Sequence, residues 1–334
     1  MSETPSNPEP ADPRGRTPAV DVPLAALASP RPPAERKAPK PDWLKVRVPG
    51  GPGYERVRDL LARLELNTVC AESRCPNIAE CWAGGTATVM LMGDTCTRGC
   101  KFCHVKSGRP APLDPQEPRH LAEAVSQLGL RYLVITSVDR DDLPDAGSGH
   151  FAEAIRELRA RCDGTKVEVL VPDFDGVPER LDTLGQAAPH VIAQNLETVE
   201  RLTHPVRDRR AGYRKTLGVL RYYKEHFPSI YTKSSLMVGL GETQDELGQA
   251  MVDLRDAGVD VLTIGQYLQP SPWNLKVAEY VTPDTFNRYR EQALELGFLY
   301  CASGPLVRSS YRAAEFFMKG LMETRHHPPR RPVG

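Results

Sequence analysis

Thr88-Val-Met-Leu-Met92 leads, after three residues, into Cys96-Thr-Arg-Gly-Cys100-Lys-Phe-Cys103. An apolar run followed at once by clustered cysteines reads as a buried strand whose carboxyl end presents thiols. In barrels of alternating strands and helices, the chemistry is built in the loops at that end. The gaps of three and then two residues crowd three thiolates into one loop. They suit an iron–sulfur cluster in which one iron is left open for another ligand. A ferredoxin-like carrier would supply a fourth cysteine. A zinc site would also want a fourth ligand, and His104 directly adjoins Cys103, too close for both side chains to chelate one ion easily.

Working outward, β-branched apolar runs recur at 132–138, 167–171, 191–196, 235–240 and 259–267, each followed by a helical pattern. Leu121, Ala124, Val125 and Leu128 keep helical spacing up to Gly129, and Phe151, Ala154, Ile155, Leu158 and Cys162 do the same. Thr243 with Glu246 forms a capping-box pattern ahead of Leu247, Ala250, Met251 and Leu254, and Gly258 ends that helix. Six strand–helix units predict a parallel sheet with helices outside it. An open doubly wound sheet would look alike at this level; the cysteine loop after the first strand favours a partial (β/α)6 barrel of the TIM type, class α/β. An N-terminal cluster-binding extension precedes it.

The expected organisation is a Pro-rich disordered tail over 1–42, the extension over 43–87, the barrel over 88–320 and a second tail over 321–334. Eleven prolines between Pro5 and Pro41 interrupt Ala, Ser and charged residues, leaving too little apolar surface to offset ordering. Glu3, Glu9, Asp12 and Asp21 argue against a transit peptide, and no secretory signal or membrane-length apolar run is visible. Lys plus Arg equals Asp plus Glu at 43 each, so no charge bias points to nucleic acid or membrane. A soluble, cytoplasmic protein is expected, where clustered cysteines bind metal rather than pair as disulfides.

A second triplet lies 15 residues upstream: Cys70-Ala-Glu-Ser-Arg-Cys75-Pro-Asn-Ile-Ala-Glu-Cys81. The first-quoted loop resembles the motif of the radical S-adenosylmethionine (SAM) superfamily. The upstream triplet resembles the auxiliary-cluster motif of the lipoyl synthase family. The likeness continues through Thr-Ser-Val-Asp-Arg-Asp-Asp-Leu (136–143), Asn-Leu-Glu-Thr (195–198), Leu-Met-Val-Gly-Leu-Gly-Glu-Thr (236–243) and Gly-Gln-Tyr-Leu-Gln-Pro-Ser (265–271). It closes with Arg-Ser-Ser-Tyr (308–311) and covers about residues 43 to 320.

That resemblance implies two 4Fe-4S clusters and SAM as cofactors. Cys96, Cys100 and Cys103 would hold the SAM-binding cluster. Cys70, Cys75, Cys81 and Ser310 would hold the auxiliary cluster. Read alone, the serine pair would be a helix cap before an apolar run. In the family, SAM-derived radicals abstract hydrogen at C6 and C8 of an octanoyl chain amide-linked to a carrier lysine, and the auxiliary cluster is consumed as sulfur donor. An unactivated C–H bond offers acid–base chemistry nothing to work on, so a cofactor must do that step. The implied partners are octanoylated carrier proteins (2-oxoacid dehydrogenase E2 subunits and glycine cleavage H protein), an electron donor and a cluster-rebuilding protein. A methylthiotransferase with two clusters is the rival enzyme, and a passive cluster scaffold or electron carrier the non-enzymatic alternative.

Asn195, Glu197 and Lys233 are expected at strand ends facing the barrel mouth, where polar groups hold SAM or substrate. Gly239-Leu-Gly241-Glu242 reads as a tight turn or a close backbone approach to a ligand. Arg207, Arg209, Arg210, Arg214 and Lys215 form a basic stretch, either a carrier-docking patch or a solvated helix face. Cys162 and Cys301 read as buried structural residues. Two departures from the family pattern are Lys233-Ser-Ser235, where Lys-Ser-Gly is common, and Pro-Trp-Asn274-Leu275, where a His-Leu pair is usual.

Overall fold

The computed structural model of this chain describes residues 40–46, 49–83 and 88–310. The expected tails lie outside these residues except at 40–42. The chain runs through α1 (Pro52–Arg63), β1 (Asn67–Thr68), α2 (Val69–Glu72) and α3 (Ile78–Ala83) before β2 (Thr88–Leu91). Two short strands follow, β3 (Thr95–Cys96) and β4 (Lys106–Ser107). Then come α4 (Glu117–Leu128), β5 (Tyr132–Ser137), α5 (Ser148–Arg161), β6 (Lys166–Leu170), α6 (Pro178–Gln186) and β7 (Val191–Ala193). The remainder is α7 (Thr203–Val206), α8 (Tyr213–His226), β8 (Tyr231–Val238), α9 (Gln244–Asp256), β9 (Val261–Gln266), α10 (Pro283–Glu295) and β10 (Tyr300–Gly304).

Among the described residues eight strands form one sheet in the order β1-β2-β5-β6-β7-β8-β9-β10. All neighbours are parallel except β1 with β2. The order is linear, so the sheet is an open barrel segment with a strand at each edge beyond the six anticipated. The extension feeds this sheet through β1, and its Val57, Leu60, Leu61 and Trp82 join the core beneath β2, β5 and β6. β10 escapes a pattern search because Tyr300-Cys-Ala-Ser-Gly304 has no β-branched residue.

Strand alternation assigns the two faces. Leu133 and Ile135, Val167 and Val169, Leu236 and Val238, and Leu262 and Ile264 point to the helices, where the two main core clusters lie. Their neighbours point to the concave side. There the first residues of five strands, Tyr132, Val191, Tyr231, Val261 and Tyr300, make a separate apolar layer at the amino ends. The helices obey their end signals. Gly129 caps α4 at φ 62°, and Thr243 and Glu246 form the reciprocal capping box of α9.

Candidate metal centres

The turn after β2 decides where the second cysteine triplet stands. Met92 and Gly93 both adopt positive φ, 68° and 92°, reversing the chain at the carboxyl edge of the sheet. The buried Glu117 carboxylate accepts the Met92 N–H at 2.9 Å, and Arg140 donates to the Met92 carbonyl at 3.4 Å. His150 Nε2 holds Glu117 in turn at 2.6 Å. From this anchored start β3 pairs with β4, and Gly108 N–H donates to the Cys96 carbonyl at 2.9 Å. The three cysteines therefore occupy one closed loop.

Other loops at the same end of the sheet reach in to the sulfurs. Cys96 Sγ accepts from the N–H of Arg98 and Asp139, and Cys100 Sγ accepts from the N–H of Asp208 at 3.2 Å. Inside the loop, the buried Arg98 guanidinium forks to Asp141 at 2.7 Å and Asp173 at 2.7 Å, and lies 3.3 Å from Asp139. Those carboxylates follow β5 and β6, so one side chain fixes the cysteine loop to two strand ends. Burial pushes the Cys96 and Cys100 thiols up to about 12 and raises Cys103 too. Each must lose a proton to bind metal, and a bound cation reverses the penalty. Among the described residues the cysteines form no disulfide. Nor do three His, Cys, Asp or Glu side chains there converge closely enough for a single ion. Three soft thiols, each carrying backbone N–H donors at its sulfur or burial around it, fit an iron–sulfur cluster, whose irons take one thiolate apiece.

The first triplet is ordered by short helices. Thr68 caps α2, which carries Cys70; Cys75 N–H returns to the Cys70 carbonyl at 3.0 Å, and Cys81 lies in α3. Burial raises the Cys70 and Cys75 thiols, with Thr88 beside the first and Arg308 beside the second. The segment after β10 folds back onto this place. Asn77 Nδ2 donates to the Leu306 carbonyl at 2.7 Å, and Thr88 Oγ1 donates to Ser310 Oγ at 2.9 Å. Thr88 thus joins Ser310 to Cys70 across more than two hundred residues of sequence.

The family model of the radical SAM superfamily matches residues 90–265. The model of the N-terminal domain of lipoyl synthase matches residues 29–75, beginning inside the stretch expected to be a tail. A lipoyl synthase of Myxococcus xanthus is 65% identical over 284 residues, 85% of this chain and 95% of that protein. This chain belongs to the lipoyl synthase family. The lipoyl synthase of Anaeromyxobacter dehalogenans is 62% identical, covering 87% of this chain and 99% of that one. The mitochondrial lipoyl synthase of Drosophila grimshawi is 57% identical, covering 85% and 80%. Membership of the radical SAM superfamily entails a 4Fe-4S cluster and SAM.

In this lipoyl synthase, Asn195 and Glu197 stand after β7 as expected at the mouth. Asn195 Nδ2 donates to Glu197 Oε1 at 3.1 Å, while the buried Asn195 Oδ1 has no partner among the described residues. Glu197 holds φ 71°, and desolvation raises its carboxyl beside Cys103. Lys233 corrects the expectation. β8 begins at Tyr231, which puts Lys233 inside the strand near its amino end rather than at the mouth. Its ammonium meets Glu168 at 2.7 Å, both almost fully buried, and Tyr132 donates to the same carboxylate.

The basic stretch is also different in space. Arg214 pairs with Glu200, Arg210 with Asp208, and Lys215 with Asp175, while Arg207 donates to the Leu196 carbonyl. Its charge is largely spent within the chain. Gly239 serves a close approach, though to protein: a Cβ there would lie 2.4 Å from the Glu279 carbonyl oxygen. Cys301 is buried and Cys162 half-buried, donating to the Ala122 carbonyl. Sequence reasoning missed Arg98 with its three aspartates. The signal was present in Asp139-Arg-Asp-Asp142, a charged run directly after an apolar strand. Among the described residues no helix is long and apolar enough to cross a membrane.

Proposed function

We propose that this lipoyl synthase inserts two sulfur atoms, at C6 and C8, into an octanoyl chain carried on a lysine of lipoyl carrier domains such as E2 subunits and H protein. Cys96, Cys100 and Cys103 hold the SAM-binding cluster; Cys70, Cys75, Cys81 and Ser310 hold an auxiliary cluster. When bound, the first supplies the electron that cleaves SAM and the second supplies sulfide. The observation that carries this reading is the hydrogen bond of Thr88 to Ser310 beside Cys70. It supports a hydroxyl ligand beside Cys70, where soft thiolates are the rule.

The Thr88 hydroxyl donates to Ser310 Oγ and so favours its deprotonated form, while leaving a hard, easily released ligand. Asn195 Oδ1 is a buried acceptor awaiting a donor, and Glu197 is a carboxyl beside the Cys103 loop; both suit the amino or ribose groups of SAM. The organisation that follows is an extension over 43–87 carrying auxiliary ligands and a barrel over 88–320 closing on Ser310. An electron donor and a cluster-rebuilding protein complete the cycle.

The test is anaerobic incubation of reconstituted protein, its cluster sulfide isotopically labelled, with reductant, SAM and octanoylated carrier. Labelled sulfur should appear in the carrier, and the protein should hold about eight irons before reaction, four per cluster. SAM cleavage with an unchanged carrier mass would favour a different radical enzyme. Absence of SAM cleavage would favour a passive cluster protein.

A further inference from the structure

Trp273 is 96% exposed, about twice as exposed as any other large apolar side chain among the described residues. It stands at the tip of a turn that is otherwise held from every side. Gln269 Nε2 donates to the Asn274 carbonyl at 2.8 Å, and Asn274 N–H to the Ser271 carbonyl at 3.1 Å. Ser271 Oγ donates to Asn274 Oδ1 at 2.7 Å, and Tyr267 OH to the Leu275 carbonyl at 2.8 Å. A loop this firmly tied presents its indole in one place, with little ordering entropy left to lose when a partner covers it.

The ties also say where that place is. Asn274 Nδ2 donates to the Cys103 carbonyl at 2.8 Å and the Lys101 carbonyl at 3.1 Å, in the second cysteine loop. Arg74 Nη1, between Cys70 and Cys75, lies 3.5 Å from the Pro270 carbonyl. Residues 269–275 therefore bridge the two cysteine segments. A chain that must reach both passes beside this turn. Two cations lie there: Arg74 and Lys101 are exposed, and neither has a carboxylate partner among the described residues. In the Arg207 to Lys215 stretch, by contrast, Arg210, Arg214 and Lys215 are paired with Asp208, Glu200 and Asp175.

We propose that the Trp273 turn is the docking surface for the protein that delivers the acyl-lysine. The partner is a carrier domain acidic around its acylated turn, seated on the indole with its carboxylates toward Arg74 and Lys101. This rests on the reaction proposed above. A fully exposed tryptophan on a turn tied to Arg74 and to the Lys101 backbone has the composition of an interface hot spot with charge beside it.

Trp273→Ala should raise KM and Kd for the octanoylated carrier domain about tenfold, with dithionite as reductant. KM for a short octanoyl-lysyl peptide, and SAM cleavage without substrate, should stay within about twofold. Raising ionic strength should weaken the carrier alone. An equal loss with the peptide would mean the indole covers the acyl chain or the protein's own chain, and would overturn the proposal. So would no loss with either substrate, or a loss seen only when a protein reductant replaces dithionite. Carrier binding that depends on Trp273, with no sulfur incorporated by the unaltered protein, would overturn the reaction and leave the docking surface standing.

Discussion

Single residues decide whether distant ligands meet. Gly265 ends the inner face of β9 where the chain after β10 crosses it, and a Cβ there would lie 2.1 Å from the Val307 carbonyl oxygen. The obstacle is backbone, so it cannot swing away. Gly265→Ala should therefore push residues 307–310 off the sheet and carry Ser310 from Thr88. The expected overpacking cost is about 1–3 kcal/mol. The specific outcome is selective: iron at the Cys96 loop is retained while iron at the first triplet is lost. Mössbauer spectra of reconstituted protein would show it; equal loss at both would point to general unfolding. Nothing in the one-dimensional sequence marks this glycine apart from its place in the family motif, because its neighbour is 42 residues away.

At the scale of elements, the cysteine loop is held as an arch to neighbouring strand ends as well as by its own turns. Arg98 spans from that loop to the ends of β5 and β6, and Asp173 is almost fully buried against it. Arg98→Ala leaves that carboxylate with, among the described residues, only the Asp175 N–H at 3.1 Å and the Lys215 ammonium at 3.9 Å, a loss that approaches the roughly 3–5 kcal/mol of a broken buried pair. Thermal denaturation should show a large drop, and Arg98→Lys should recover only part of it, since an ammonium cannot fork to two carboxylates. The α9 start makes a pH prediction. Glu246 pairs with Arg201 and also accepts the Thr243 N–H, which lowers its carboxyl to about 2. A folded value below the unfolded one means its contribution is complete above the ordinary Glu range near 4.3 and disappears as pH falls toward about 2. Amide protection factors at the first turn of α9, taken against the intrinsic rate at each pH, should fall over that acid window, and Glu246→Gln should flatten the dependence. An unchanged profile in the variant would remove the cap as its source.

Across the whole molecule, the concave side of the barrel segment carries a buried ion pair next to the apolar layer of its amino ends. Lys233 of β8 and Glu168 of β6 pair across β7, above the tyrosine layer of the amino ends. Lys233→Met should destabilise the fold by about 3–5 kcal/mol by stranding a buried carboxylate. Adding Glu168→Met should recover at least half of that, as measured by urea denaturation. SAM affinity of the reconstituted double variant should match the original, because this pair lies at the opposite end of the strands from the cysteines. A matching loss of affinity would return Lys233 to the SAM site.

The six strand–helix units, the capping box of α9, the two cysteine triplets and the family were all legible in the linear chain. They are set by local periodicity and by ligand chemistry carried in a few adjacent residues. Lys233 was misplaced because the polar stretch Tyr231-Thr-Lys-Ser-Ser235 hides the first half of β8: its concave face is not apolar, so alternation does not show as a hydrophobic run. The edge strands β1 and β10 were too short or too lacking in β-branched residues to announce themselves. Ser310 was tied to the first triplet only through the family resemblance; the tertiary structure bound it to Thr88 beside Cys70, bound Arg98 to carboxylates of two other loops, and showed Arg210, Arg214 and Lys215 of the basic stretch paired with acids of the chain. Such pairings depend on sheet order and on the close passage of distant backbone, which neighbouring residues do not encode.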